Sequence, residues 1–208
     1  MHKSISETPK EIVLGQIFFI FVLPVLLLYF NIIDKEWRVM VLIVACLLIY
    51  GILKKGKWDN STWGLRFDNF HKSLIPYLCA TLLSSVFIIW FAGKLDMKVE
   101  SYWWLDRHFW FIFILVSFLQ EFAYRGFLIP LMERIFTDRL GIILINALLF
   151  TLLHIIYPIP QIMIPFAFMG GLVFAYMYLR YPNIILISMM HTVMNFIAVL
   201  YGFFVIYH

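Results

Sequence analysis

The sequence predicts an all-α, polytopic bundle of about seven membrane-spanning helices, on three observations. Hydrophobic residues make up 63% of the chain, charged residues only 13%, and the mean hydropathy is +0.92, far too apolar for a soluble globular domain. Apolar runs reach the roughly 20 residues that a bilayer-crossing helix needs. These runs also lack the apolar/polar alternation of transmembrane strands, which argues against a β-barrel. With 208 residues the chain is read as one transmembrane domain, 1–208, with its signature chemistry in 119–196.

Each span has its own signal. Met1 to Glu11 is polar and is expected at the membrane interface, with Lys3 and Lys10. The first span runs from about Ile12 to Ile33, where Pro24 predicts a kink. After a tight turn at Asn31 to Glu36, Trp37 to Leu53 forms a shorter second span. The connection Lys54 to Lys72 carries Lys54, Lys55, Lys57, Arg66 and Lys72 interleaved with Trp58, Trp63 and Phe67, and reads as an interfacial loop on the cytoplasmic side. Ser73 to Ala92 is the third span, and the loop to His108 brings Trp103, Trp104 and Trp110 as an aromatic belt. The fourth span runs from Phe109 to about Leu128. Pro130 and the segment Leu131 to Leu140 are expected to bend along the interface, with Arg134 and Arg139 facing water. Gly141 to Ile156 is the fifth span, ended by Pro158 and Pro160; Asn146, Phe150 and His154 recur every four residues and share a face. The sixth, Ile164 to Leu179, contains Gly170-Gly171, small enough for close helix approach. The seventh runs from Ile184 to about Ile206.

The net charge of +4 and pI near 9.0 do not indicate nucleic acid, because the basic residues sit in short loops between apolar runs. With seven spans this distribution predicts a multi-pass protein of the cell membrane with a cytoplasmic N terminus. The partners expected are membrane lipid and a peptide or protein substrate. Cys46 and Cys79 lie within apolar runs and read as small buried hydrophobes.

Ionisable groups inside such spans ask for an explanation, since one charge at mid-bilayer costs roughly 2.5–3.5 kcal/mol. The stretch Leu119-Gln120-Glu121-Phe122-Ala123-Tyr124-Arg125-Gly126 puts an acid and a base four apart on one helical face, able to pair. His154 follows Phe150 at the same spacing, and Asn195 follows His191. A carboxylate, two imidazoles and a carboxamide could activate water and stabilise an oxyanion for peptide hydrolysis. His154, His191 and Glu121 could instead hold zinc, although no HExxH spacing is present. A proton relay is a third chemistry; no inverted repeat supports a transporter.

The residues Gln120-Glu121-x-x-x-Arg125, Phe150-x-x-x-His154 and His191-x-x-x-Asn195 resemble, in order, the EExxxR, FxxxH and HxxxN motifs of the CPBP family, the CAAX proteases and bacteriocin-processing enzymes also called the Abi family. Gly170 to Arg180 and Trp63-Gly64-Leu65-Arg66 are similar to that family too. The resemblance implies an intramembrane endopeptidase, working either as a metalloprotease or by metal-independent glutamate chemistry. It implies that His154 helps to bind the attacking water, that His191 and Asn195 form the oxyanion hole, and that Glu121 with Arg125 orients the first motif. The family's first glutamate, the general base, is Gln120 here. A carboxamide can hold water but cannot take its proton. The implied alternatives are a branch using Glu121 or His154 as base, a pseudoprotease that binds peptides in an immunity or regulatory role, or an introduced inactivating change.

Overall fold

The structure is a computed structural model, and it describes residues 9–99, 107–157 and 159–203. Trp103, Trp104, Pro158 and residues Met1 to Thr8 lie outside the described residues. The chain is all-helical among the described residues. Helix α1 spans Lys10–Tyr29, α2 Lys35–Lys55 and α3 Phe70–Lys94. Helix α4 begins as Arg107–Glu121 and continues through Phe122–Leu128 to Ile129–Met132. Helix α5 covers Arg139–Ile156, α6 Pro160–Arg180 and α7 Ile184–Leu200. Six of these, α1 to α6, are long and apolar enough to cross a membrane. The seventh has 17 residues, rising about 26 Å at 1.5 Å per residue, a little short of a hydrocarbon core about 30 Å thick.

The bundle has an inside and an outside. In α4, 61% of the apolar window is buried, against 11% in α3 and 17% in α2, so α4 is the central strut and the first three helices form its lipid-facing flank. Side chains such as Phe19, Leu47 and Leu83 are left exposed on that flank, where hydrocarbon is their natural solvent. Helix α5 packs along α6, while α7 lies against both α3 and α4.

Pro24 and Pro130 are handled in the same way. A proline ring clashes with the carbonyl four residues back and removes one hydrogen bond. For Pro24 that carbonyl belongs to Ile20 and for Pro130 to Gly126, and each lies inside a π-helical turn, Phe18–Val22 and Phe122–Leu128 respectively. The wider turn makes room, so the helix carries on to Tyr29 in one case and to Met132 in the other. The expected interfacial bend at Pro130 is therefore replaced by continued helix, with Leu131 and Met132 buried. Arg134, expected to face water, instead lays its guanidinium 4.3 Å from the Trp58 ring centroid. Cys46 is buried and donates to the Leu119 carbonyl at 3.4 Å, but Cys79 is exposed on the outer flank rather than buried.

The loop before α3 is a latch on the start of α7. Gly64, at φ +80°, closes a turn that an L side chain rarely adopts, and its Cβ would lie 2.3 Å from the Tyr178 hydroxyl. Its carbonyl accepts from Ile184 N at 2.8 Å. Asn183 caps α7 by accepting from Leu186 N at 3.1 Å, and its amide donates to Arg66 O and Asn69 Oδ1, both at 2.9 Å. Tyr77 donates to Tyr181 O at 3.0 Å. Basic composition alone reads this connection as an interfacial loop; its backbone sets the register of the helix that carries His191.

Helices α5 and α6 touch backbone to backbone at Gly171, where a Cβ would sit 3.0 Å from Ala147 Cα and 3.3 Å from Ala147 O. The neighbouring Gly170 has nothing within 4 Å. Gly171→Ala should therefore lower stability by about 1–3 kcal/mol through overpacking, while Gly170→Ala stays within about 0.5 kcal/mol, as read from thermal melts in detergent.

Candidate active site

Three buried side chains form a charged knot at the centre of the bundle. Glu121, Arg125 and His191 are 0%, 0% and 2% exposed. One carboxylate oxygen, Glu121 Oε1, accepts from an Arg125 terminal nitrogen at 3.1 Å and from His191 Nδ1 at 2.6 Å. The i,i+4 spacing on α4 brings Glu121 to Arg125, and the latch on α7 delivers His191 from the other side.

Arg125 is enclosed rather than merely paired. Its second terminal nitrogen donates to the Gly171 carbonyl at 3.3 Å. Its guanidinium carbon lies 4.4 Å from the Phe150 ring centroid and 5.1 Å from that of Phe174. Taking two charges out of water costs several kcal/mol per ion, which only pairing plus further hydrogen bonds offsets. The carboxylate, the carbonyl and the two ring faces supply these. Phe150 of the second motif is thus a wall of the arginine's cage. Asn146, one turn earlier, donates to the Tyr124 carbonyl at 2.7 Å and fastens α5 to the π turn of α4.

His154 ends α5 in a 3₁₀ turn, Leu153–Ile156, where its Nδ1 lies 3.0 Å from the Phe150 carbonyl. A ring nitrogen facing a carbonyl carries the hydrogen, which leaves Nε2 as the basic nitrogen. The same reasoning places hydrogen on Nδ1 of His191, facing the carboxylate. Asn195 donates through Nδ2 to Ser117 Oγ at 3.3 Å. Ser117 is fully buried on α4 one turn before Glu121, and no motif in the sequence marks it.

His154, His191 and Asn195 line one cleft of about 350 Å³, with Met163, Phe166 and Gly170 of α6 opposite. Gln120, Glu121 and Arg125 lie behind that lining, so the first motif supports the cleft and the second and third face it. Gln120 is buried, with no hydrogen bond to its carboxamide among the described residues. Of the expected pocket residues, the structure gathers the two histidines and Asn195 at the cleft and ties Glu121 to it through His191.

The zinc set proposed from residue types does not fit this arrangement. Among the described residues no three His, Cys, Asp or Glu side chains are grouped to hold a metal ion. Glu121 Oε1 already serves a guanidinium and an imidazole, and the positive charge of Arg125 beside that carboxylate opposes a second cation there.

The pairing is testable without any substrate. Arg125→Ala leaves Glu121 buried without its cation and should destabilise the protein by about 3–5 kcal/mol, measured by denaturation in detergent. Arg125→Lys should recover only part of this, because a single ammonium cannot fork between Glu121 and the Gly171 carbonyl.

No curated protein and no solved structure matches the chain. Residues 102–197 match the family described as Rce1-like, type II CAAX prenyl endopeptidases, a stretch that contains the charged knot and all three cleft-lining polar residues. A multi-pass helical bundle with these motifs on α4, α5 and α7, and with that match across them, supports kinship of residues 102–197 with the CPBP family of CAAX-type proteases.

Proposed function

We propose that this protein hydrolyses a peptide bond in a membrane-proximal peptide, prenylated or of the bacteriocin or signal type, using His154 as general base. The observation that carries the reading is the shared cleft: His154 from α5 meets His191 and Asn195 from α7 in one cavity inside the membrane-spanning part of the chain. The Phe150 carbonyl on Nδ1 fixes the tautomer in which Nε2 of His154 accepts a proton from water. The hydroxide attacks the scissile carbonyl, and the same nitrogen returns the proton to the leaving amine. Asn195 spends one amide hydrogen on Ser117 and keeps the other for the oxyanion. His191, held on Glu121 through Nδ1, stands beside Asn195 in the cleft and completes the oxyanion site. Each such donor lowers the barrier by about 2.7–4 kcal/mol when preorganised.

Glu121 is assigned as the residue that orients His191, since its hydrogen-bonded oxygen is committed to Arg125 and His191. Gln120 supports a second reading. Lacking a carboxylate at that position, the chain would hold a peptide without cutting it, as an immunity or regulatory protein of the membrane. The basic connection after α2 supports a cytoplasmic N terminus.

Comparative peptidomics of membranes, together with a farnesylated peptide assay in proteoliposomes, separates the two readings. Products from the chain as it stands should fall by about 10²–10⁴-fold in His154→Ala, the usual range for losing a general base. Cleavage that persists in His154→Ala rejects His154 as base. Products that appear only in Gln120→Glu assign the non-catalytic reading.

A further inference from the structure

A second cleft, of about 420 Å³, lies on the opposite side of α4 from the catalytic one. Its walls come from α1, α2, the π turn of α4 and Leu153 of α5, and they are apolar except for Tyr124 and one cation, Arg38. The cleft is built where the two π turns meet: the Phe21 ring sits edge-on to Tyr124 with centroids 5.1 Å apart, and 6.4 Å from Phe127. Single π turns inside helices are frequent at functional sites.

We propose that this cleft holds an acyl chain of an anionic phospholipid from the surrounding membrane, with the head-group phosphate on Arg38. Three observations commit it to that occupant. The cleft belongs to the flank whose neighbouring side chains, Phe18, Val44 and Leu48 among them, are exposed to hydrocarbon, so a lipid tail is the adjacent solvent. Arg38 stands at the start of α2, beside the exposed Trp37, at the level where aromatic residues mark the membrane interface. The guanidinium is half-buried and held in place, donating to the Lys35 carbonyl at 3.2 Å and to the Tyr157 hydroxyl, which keeps its forked donors positioned for a phosphate. Asp34, just before α2, and Glu36, in its first turn, are exposed and do not line the cleft.

Such a lipid would brace the active site. Tyr124, in the cleft wall, sets its ring edge-on to Phe150 at 5.3 Å, and Phe150 cages Arg125. Tyr157, the partner of Arg38, stacks on His154 with centroids 5.6 Å apart. The second cleft therefore touches the catalytic residues through one aromatic side chain on each side.

The test is native mass spectrometry and thermal melting of the whole protein in detergent, titrated with phosphatidylglycerol or phosphatidylcholine. The expected result is preferential retention of phosphatidylglycerol and a raised Tm. Arg38→Gln should weaken that retention about fivefold, the effect of removing one basic contact near a lipid head group. Ala45→Phe, which fills the cleft and leaves the cation, should abolish the Tm rise while helix content is unchanged. Lys54→Gln, at the far end of α2, serves as the control for general surface charge. Equal retention of the two lipids, insensitivity to Arg38→Gln and Ala45→Phe, or an equal loss in Lys54→Gln would overturn the proposal.

Discussion

Everything in this bundle is arranged around the burial of Glu121 with Arg125. Two opposite charges at 0% exposure cannot be held by their mutual attraction alone, because desolvation consumes most of it. The surrounding structure answers with a second donor on the carboxylate, a backbone carbonyl on the guanidinium and two aromatic faces on its plane. These supports come from three other helices: His191 from α7, Gly171 and Phe174 from α6, Phe150 from α5. The pair thereby specifies how four helices meet, and the cleft-facing histidine is one of the contacts that satisfies it.

The close approaches serve the same end. Helix α6 can present the Gly171 carbonyl to Arg125 only because α5 and α6 touch at Ala147 with no Cβ between them. The π turn of α4 houses Arg125 itself and absorbs the clash of Pro130 without ending the helix. Asn183 and the Gly64 turn set the start of α7, and His191 lies two turns further on. A polar site inside a membrane protein has little hydrophobic driving force to hold its helices in register, so hydrogen bonds and small residues carry that task.

The outer flank makes few such demands. Helices α1 to α3 are mostly exposed along their lengths, and their side chains need only be apolar. Where α1 and α2 do turn inward, at Phe21 and Ala45, they meet the back of α4 and leave a second cleft instead of a sealed contact. The bundle is thus built as a polar, tightly specified half carrying the family motifs and an apolar half facing lipid.

The number of helices, their membrane character and the residues of the charged knot were legible in the sequence, because each rests on local information. An apolar run of about 20 residues has few alternatives, and a buried acid four residues from a base on one helix can pair without any tertiary knowledge. Tertiary structure decided what those residues do for one another. Glu121 turned out to serve His191 as well as Arg125, Gln120 lies behind the cleft rather than in its lining, and His154, His191 and Glu121 do not group as metal donors, all because the angle at which α7 meets α4 is set elsewhere. That angle depends on Asn183, Gly64 and Ser117, which no periodicity marks. Pro24 and Pro130 signal a disturbance in sequence, but whether the helix kinks, stops or widens into a π turn depends on neighbours that can satisfy the displaced carbonyls, and those come from other helices.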